Sequence, residues 1–250
     1  MAAPLIYDRL LESAERQGAS FAVLIDPDKQ PVASVPELTA VCERAGVDLL
    51  LLGGSSVQDI DFEEFVSLLK AATRIPVIGF PGSPGQLSSR LDAVLYLSLV
   101  SGRNPDYLIG RHVQAARRIR DLGIESIPTA YMLVDSGSIT SVQRVTQTEP
   151  IPRDASGLAA DTALAAQMMG MKLVYLEGGS GARNPVPVEM VTAVAEACDV
   201  PVMVGGGLRS PSEVEARVRA GARFVVIGNA IERRRDEKYL SELAAAAHVR

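Results

Sequence analysis

Leu173-Val174-Tyr175-Leu176 is a short apolar run that ends in Glu177-Gly178-Gly179-Ser180-Gly181. A run this short, stopped by glycine, reads as a strand buried on both faces. The pattern recurs in both directions. Downstream, Val200 to Val204 stops at Gly205-Gly206-Gly207, and Phe224-Val225-Val226-Ile227 stops at Gly228-Asn229. Upstream, Phe21 to Ile25 stops at Asp26, Val47 to Leu52 at Gly53-Gly54-Ser55-Ser56, and Ile75 to Phe80 at Pro81-Gly82. Ala93 to Leu97 stops at Ser98, and Ile127 to Val134 at Asp135. These are eight candidate strands.

Helical spacing or capping fills most of the intervals: 36–45, 61–72, 105–122, 156–169, 188–197 and 211–220. Ser210-Pro211-Ser212-Glu213 reads as a helix start with proline in the first turn. Eight strands alternating with helices over 250 residues predict a (β/α)₈ barrel, one domain spanning 1–250. The interval between strands three and four is the exception. Pro81-Gly82-Ser83-Pro84-Gly85-Gln86 cannot carry a regular helix, because proline and glycine break it. An open doubly wound sheet is the alternative. Against it, the glycine-rich strand ends come late, not at the first βα turn.

Composition narrows the function. Hydrophobic residues make up 47% and charged residues 22%, and aromatics only 4%, so Leu, Ile, Val and Ala must build the core. A formal net charge of −5 argues against nucleic-acid binding. A polyanionic substrate would then need local help from arginine, backbone N–H groups or a metal. Two cysteines, Cys42 and Cys198, are too few for a disulfide framework and fit a reducing compartment. Only two histidines are present, His112 and His248, which disfavours a His-centred metal site or a Ser-His-Asp triad. Asp8 interrupts the N-terminus before a signal-peptide core, and no apolar run approaches the length of a membrane span. A soluble cytoplasmic protein is expected.

In a barrel the loops after the strands share one face, and function sits there. Three consecutive late strands end in Gly178-Gly179-Ser180-Gly181, Gly205-Gly206-Gly207 and Gly228-Asn229. Glycine lets a backbone approach an anion closely, and N–H groups then point at it. The same glycines also suit tight turns. Asp26, at the end of strand one in Asp26-Pro27-Asp28-Lys29, is a hard oxygen ligand suited to Mg²⁺, with Ser55 or Ser56 nearby. Asp-Pro-Asp is equally a common turn or helix start. Glu177 and Tyr175, two apart on a strand, should face the same side. Glu177 could be a general base, a stabiliser of developing positive charge, or a hydrogen-bonded barrel carboxylate. Lys172 lies at the wrong end of its strand for Schiff-base chemistry, which weakens an aldolase reading.

Taken together, Leu24-Ile25-Asp26-Pro27-Asp28-Lys29, Gly53-Gly54-Ser55-Ser56, Phe80-Pro81-Gly82, Ser98 through Asn104-Pro105, Tyr175 to Gly181, Gly205 to Gly207 and Gly228-Asn229 resemble the geranylgeranylglyceryl phosphate synthase family. The resemblance spans nearly the whole chain, and Tyr175–Gly181 is its most specific segment. It implies a barrel whose third helix is replaced by an extended segment. It also implies a Mg²⁺-dependent prenyltransferase joining sn-glycerol 1-phosphate to a polyprenyl diphosphate in ether phospholipid biosynthesis. By motif, Asp26 and Ser55 would hold the metal. Tyr175, Leu176, Glu177, Gly178, Gly179, Ser180, Gly181, Gly206, Gly207, Gly228 and Asn229 would form the glycerol-phosphate site, with Glu177 and Tyr175 catalytic. One subgroup carries lysine where this chain has Leu24, so the resemblance implies the other subgroup, with a C20 chain. It further implies a homo-oligomer, with at most peripheral membrane contact through the lipid product. A phosphosugar isomerase or lyase and a non-catalytic phosphate- or lipid-binding barrel are the alternatives. The first needs an acid–base pair that the strand ends do not supply.

Overall fold

A computed structural model of the chain describes residues 5–54, 61–228 and 236–249. Eight parallel strands close into a barrel in sequence order, β8 returning to pair with β1. They are β1 (Ser20–Ile25), β2 (Leu49–Leu52), β3 (Val77–Gly79), β4 (Ala93–Leu99), β5 (Glu125–Leu133), β6 (Leu173–Glu177), β7 (Val202–Gly205) and β8 (Ala222–Ile227). Closure excludes the open sheet.

The apolar runs are continuous because successive residues are buried on opposite faces. Leu49, Leu51, Tyr175, Met203, Phe224 and Val226 fill the barrel interior. Their neighbours Leu50, Leu52, Val174, Leu176, Val204 and Val225 face outward into a second layer shared with the helices. Each fully buried Leu or Val contributes about 1.5–3 kcal/mol, so both layers stabilise the strands.

The surrounding helices are α1 (Ile6–Gln17), α2 (Val35–Arg44), α3 (Phe62–Ala72), α4 (Arg111–Leu122), α5 (Ser141–Thr146), α6 (Ser156–Met168), α7 (Val188–Ala197), α8 (Pro211–Arg219) and α9 (Glu237–Ala247). A π-helical turn over Asp106–Gly110 leads into α4. The expected start of α8 is observed as a full capping box between Ser210 and Glu213.

Three helices were not expected from the sequence. Helix α1 closes the lower end of the barrel: Leu10 and Ala14 join the interior core. The Glu125 carboxylate, at the start of β5, accepts from the Ile6 and Tyr7 N–H groups at 2.6 and 3.2 Å. Helix α9 buries Leu240 and Leu243 and packs between α8 and α2, completing the outer ring. Helix α5 borders the upper end.

No helix forms over residues 80–92, as the sequence implies. Gln86 fixes this extended segment to the end of β2. Its Nε2 donates to the Gly54 carbonyl at 3.0 Å, and its Oε1 accepts from the Gly54 and Gly82 N–H groups at 3.3 Å. Leu87 and Leu91 are buried in the outer layer.

Candidate active site

The strand ends open into a cavity of about 940 Å³ at the upper end of the barrel. Its walls differ in chemistry. The ends of β6, β7 and β8 are neighbours in register, Glu177 opposite Gly205 and Gly205 opposite Val226. Their three glycine clusters therefore meet on one side. Gly179, Ser180, Gly181, Gly206, Gly207 and Gly228 all line the cavity.

Positions 206 and 179 both require glycine. Gly206 has φ +80°, and a Cβ there would overlap Glu177 Oε1 and come within 2.6 Å of the Gly179 nitrogen. Gly179 has φ +92°, and a Cβ would run into Thr140. The two turns are thus packed against each other and against the N-cap of α5.

Glu177 is 5% exposed and lines the cavity with Tyr175, as strand alternation predicted. Its Oε1 accepts from the Gly179 N–H at 2.6 Å. Burial raises its pKa from the ordinary carboxylate value, opposed by the nearby Tyr175 hydroxyl and the Gly179 N–H. Tyr175 is fully buried and held protonated, first by burial and then by the Glu177 charge. Its hydroxyl makes no well-directed hydrogen bond among the described residues, although it adjoins Glu177. The ring packs edge-on against Tyr131 (5.4 Å between centroids) and tilted against Phe80 (5.7 Å). These three rings form the cavity floor.

Asp26, at the end of β1 and so next to β8, also lines the cavity and caps the short 3₁₀ turn Pro27–Lys29. Its Oδ1 accepts from the Asp28 N–H at 3.3 Å, and its Oδ2 pairs with Lys29 Nζ at 2.9 Å. The turn reading of Asp-Pro-Asp is thus observed at Asp26, whose side chain also faces the cavity. Asp28 is exposed yet borders the same cavity. No group of three or more His, Cys, Asp or Glu side chains suited to a metal gathers among the described residues. The donor set here is one or two carboxylates, which suits Mg²⁺ shared with substrate phosphates.

Two expected site residues do not reach the cavity wall. Leu176 faces the outer core, since alternation turns it away from its neighbours Tyr175 and Glu177. The Gly178 N–H donates to the Gly205 carbonyl at 2.9 Å and extends the β6–β7 ladder instead. Ser55 and Asn229 lie outside the described residues. Sequence reasoning missed Tyr131, Phe80 and Arg209, all on the cavity. The alternation Ile127, Thr129, Tyr131, Leu133 points Tyr131 inward and could have found it. Arg209 had no such signal.

A second, apolar space of about 130 Å³ adjoins the cavity where a third helix would pack. Gly54, Phe80, Tyr131 and Val142 border both spaces. Pro84, Leu87, Leu97, Ala115 and Ile119 line the groove further along β4 and α4.

The PcrB family model matches residues 13–247. The chain belongs to the PcrB family. Similar family members include geranylgeranylglyceryl phosphate synthase of Chitinophaga pinensis, 44% identical over 98% of this chain and 96% of that protein. The protein of that name from Thermococcus kodakarensis is 42% identical, covering 89% and 87%. Among solved structures, (S)-3-O-geranylgeranylglyceryl phosphate synthase from Thermoplasma acidophilum, in complex with its substrate sn-glycerol-1-phosphate, is similar with a TM-score of 0.92. It is 36% identical, and the match covers 98% of this chain and 99% of that one. Thiamine phosphate pyrophosphorylase from Pyrococcus furiosus, at 16% identity and a TM-score of 0.61, shares the barrel fold.

Proposed function

We propose that this PcrB-family chain is a prenyltransferase. It forms the ether bond between sn-glycerol 1-phosphate and geranylgeranyl diphosphate, giving geranylgeranylglyceryl phosphate and diphosphate. The observation that carries this reading is one cavity with a glycine backbone wall, a buried carboxylate and an adjoining apolar groove. The similar Thermoplasma acidophilum enzyme, with sn-glycerol-1-phosphate as its substrate, supports the same assignment.

The phosphomonoester sits against the backbone of Gly179–Gly181, Gly206-Gly207 and Gly228, where N–H groups offset its charge. The glycerol hydroxyl then extends toward Glu177. As the hydroxyl oxygen bonds to the allylic carbon, the carbon–diphosphate bond breaks and the hydroxyl proton passes to Glu177. Because burial already favours the protonated form of Glu177, accepting that proton also relieves a buried charge. The Tyr175 hydroxyl is a donor beside the same carboxylate. Asp26, with Asp28 at the rim, would hold Mg²⁺, which when bound neutralises the diphosphate leaving group. The prenyl tail lies in the groove along α4, where each buried CH₂ is worth about 0.8 kcal/mol. Arg111 to Ile119 spans eight helical steps, about 12 Å of groove.

No helix among the described residues is long and apolar enough to cross a membrane. We take the protein to work in the cytoplasm as a homo-oligomer. Leu158, Met168 and Met169, on and just after α6, expose apolar side chains that self-association would cover.

The test is an assay with radiolabelled sn-glycerol 1-phosphate and prenyl diphosphates of graded length, with the product extracted into organic solvent. Label in the organic phase that requires both substrates and peaks at C20 is the expected result. No extractable label with any chain length refutes the assignment, and a peak at another length corrects the substrate.

A further inference from the structure

We propose that Arg209, backed by Arg153 and Arg217, is a positioning residue for the phosphate site. Together the three guanidinium groups hold the carbonyls of Ala182, Arg183, Pro185 and Val186 and so set the glycine loop after β6. The inference rests on the reading of that loop as a glycerol-phosphate cradle.

The loop from Gly178 to Pro187 has no helix or strand of its own to organise it. Its carbonyls are taken up instead by arginines from three separate elements. Arg209, in the loop after β7, donates Nη1 to the Arg183 carbonyl at 3.0 Å and Nη2 to the Ala182 carbonyl at 2.5 Å. Arg153, ahead of α6, donates Nη1 to the Pro185 carbonyl at 2.9 Å and to the Asp135 carbonyl at 3.1 Å. Arg217, on α8 and 8% exposed, donates Nε and Nη2 to the Val186 carbonyl at 3.1 and 2.8 Å. Hydrogen bonds from an ionised donor are roughly twice as strong as neutral ones, and the guanidinium fork fixes direction as well as distance.

A trans peptide points its carbonyl and its N–H in opposite directions. The Arg183 carbonyl is drawn to Arg209 while the next N–H, that of Asn184, turns the other way and donates to the Ser136 carbonyl at 3.0 Å, so the chain directly after Gly181 is held from both sides. Arg209 lines the cavity itself, so its charge also stands beside the bound anion. Its own backbone is fixed at both ends: its N–H donates to Glu213 Oε2 at 2.7 Å, and its carbonyl accepts from the Tyr239 hydroxyl at 2.8 Å. Arg209 thus links the loops after β6 and β7, the two whose glycines interlock.

A purely structural role and a positioning role differ in what they move. Arg209→Met and Arg217→Met are made in the full-length chain, with calorimetric binding of sn-glycerol 1-phosphate, KM for each substrate and Tm measured together. Arg209 is exposed and closest to the glycines, so Arg209→Met should weaken glycerol-phosphate binding about tenfold. KM for the prenyl diphosphate should stay within about twofold, with little change in Tm. Arg217 is buried and farther away, so Arg217→Met should lower Tm more and glycerol-phosphate affinity less. Arg209→Lys, which keeps the charge but not the fork, should recover part of the binding, and it stands in if the methionine variant does not fold. Unchanged glycerol-phosphate affinity in either Arg209 variant, with wild type binding normally, overturns the inference. Equal loss for both substrates also overturns it. Wild-type protein that binds no sn-glycerol 1-phosphate overturns the proposed function itself.

Discussion

The two sides of the barrel mouth recognise by opposite means. On the side of β6, β7 and β8 the wall is backbone, folded into left-handed turns that interlock and are held from behind by arginines. On the side of β3 and β4 the wall is side chains, and a missing helix leaves an apolar groove. A backbone wall offers fixed dipoles at close range but has no slack, since a Cβ at Gly206 or Gly179 already collides with protein. An apolar wall offers area, and its side chains can repack around a change of a methylene or two. On the proposed function, selectivity for a small anion and tolerance of a long flexible tail would sit in two adjoining spaces. Glu177 stands on the backbone side, beside Tyr175, whose ring packs against Phe80 and Tyr131 of the shared border.

The largest effect is expected at that carboxylate. Glu177→Gln should lower kcat about 10²–10⁴-fold while changing either KM far less, because the amide keeps size but loses basicity. The same substitution should not destabilise the fold at neutral pH. Burial raises the carboxyl of Glu177 above its ordinary value of 4.5, so the native state holds that proton more tightly than the unfolded chain. The stability from this group is complete below that value and is lost as pH rises through the raised one. Glu177→Gln removes this loss, so its Tm relative to wild type should improve as pH rises above 4.5. A variant with falling Tm and normal kcat would make Glu177 a structural carboxylate and leave the two walls without a reactive centre.

Asp26→Asn is expected to rank next. It removes the anionic oxygen that faces the cavity, so turnover should fall severely, by about 10²-fold or more, and the Mg²⁺ titration should shift upward. The partly exposed pair with Lys29 is worth little, so Tm should hardly move. Near-normal rates with an unchanged Mg²⁺ titration would limit Asp26 to capping its turn.

The barrel was legible because its signal is redundant. Eight runs such as Phe224–Ile227 each had to be buried on both faces, and no other arrangement closes them in sequence order. The missing third helix was equally plain from Pro81 to Gln86. Helices α1, α5 and α9 were not, because each is defined by what it covers: α1 is recognisable only once the barrel end that it closes exists. In the site, alternation paired Tyr175 with Glu177, but the same alternation should have excluded Leu176, which the motif had carried in. The arginines left no trace in the sequence, since they act on backbone carbonyls and any residue can supply a carbonyl.

A single added carbon tests the backbone wall. Valine at Gly179 or Gly206 is a poor probe, because either Cβ strikes Thr140 or Glu177 before any ligand is present. Gly228→Ala is cleaner: among the described residues, the atoms nearest its Cβ would be Leu24 carbons at 3.6–3.9 Å, an ordinary contact. Folding should be unaffected, while KM for sn-glycerol 1-phosphate should rise about three- to tenfold, the loss of roughly one well-made hydrogen bond. An unchanged KM would detach β8 from the phosphate wall.

The smallest effect is expected from removing one carbon on the other side. Ile119 is buried at the far end of the groove, next to Ala115. Ile119→Val takes away one methylene, worth at most about 0.8 kcal/mol of tail burial, or roughly a fourfold rise in KM for geranylgeranyl diphosphate. Repacking around the smaller side chain should reduce that further, and KM for sn-glycerol 1-phosphate should stay fixed. The informative comparison is with a C10 diphosphate, whose shorter tail would end before Ile119: the variant should treat it as wild type does. A rise of more than about twentyfold, or an equal rise for the short substrate, would mean that the groove is as tightly built as the glycine wall. The contrast between a rigid anion side and a forgiving tail side would then fail.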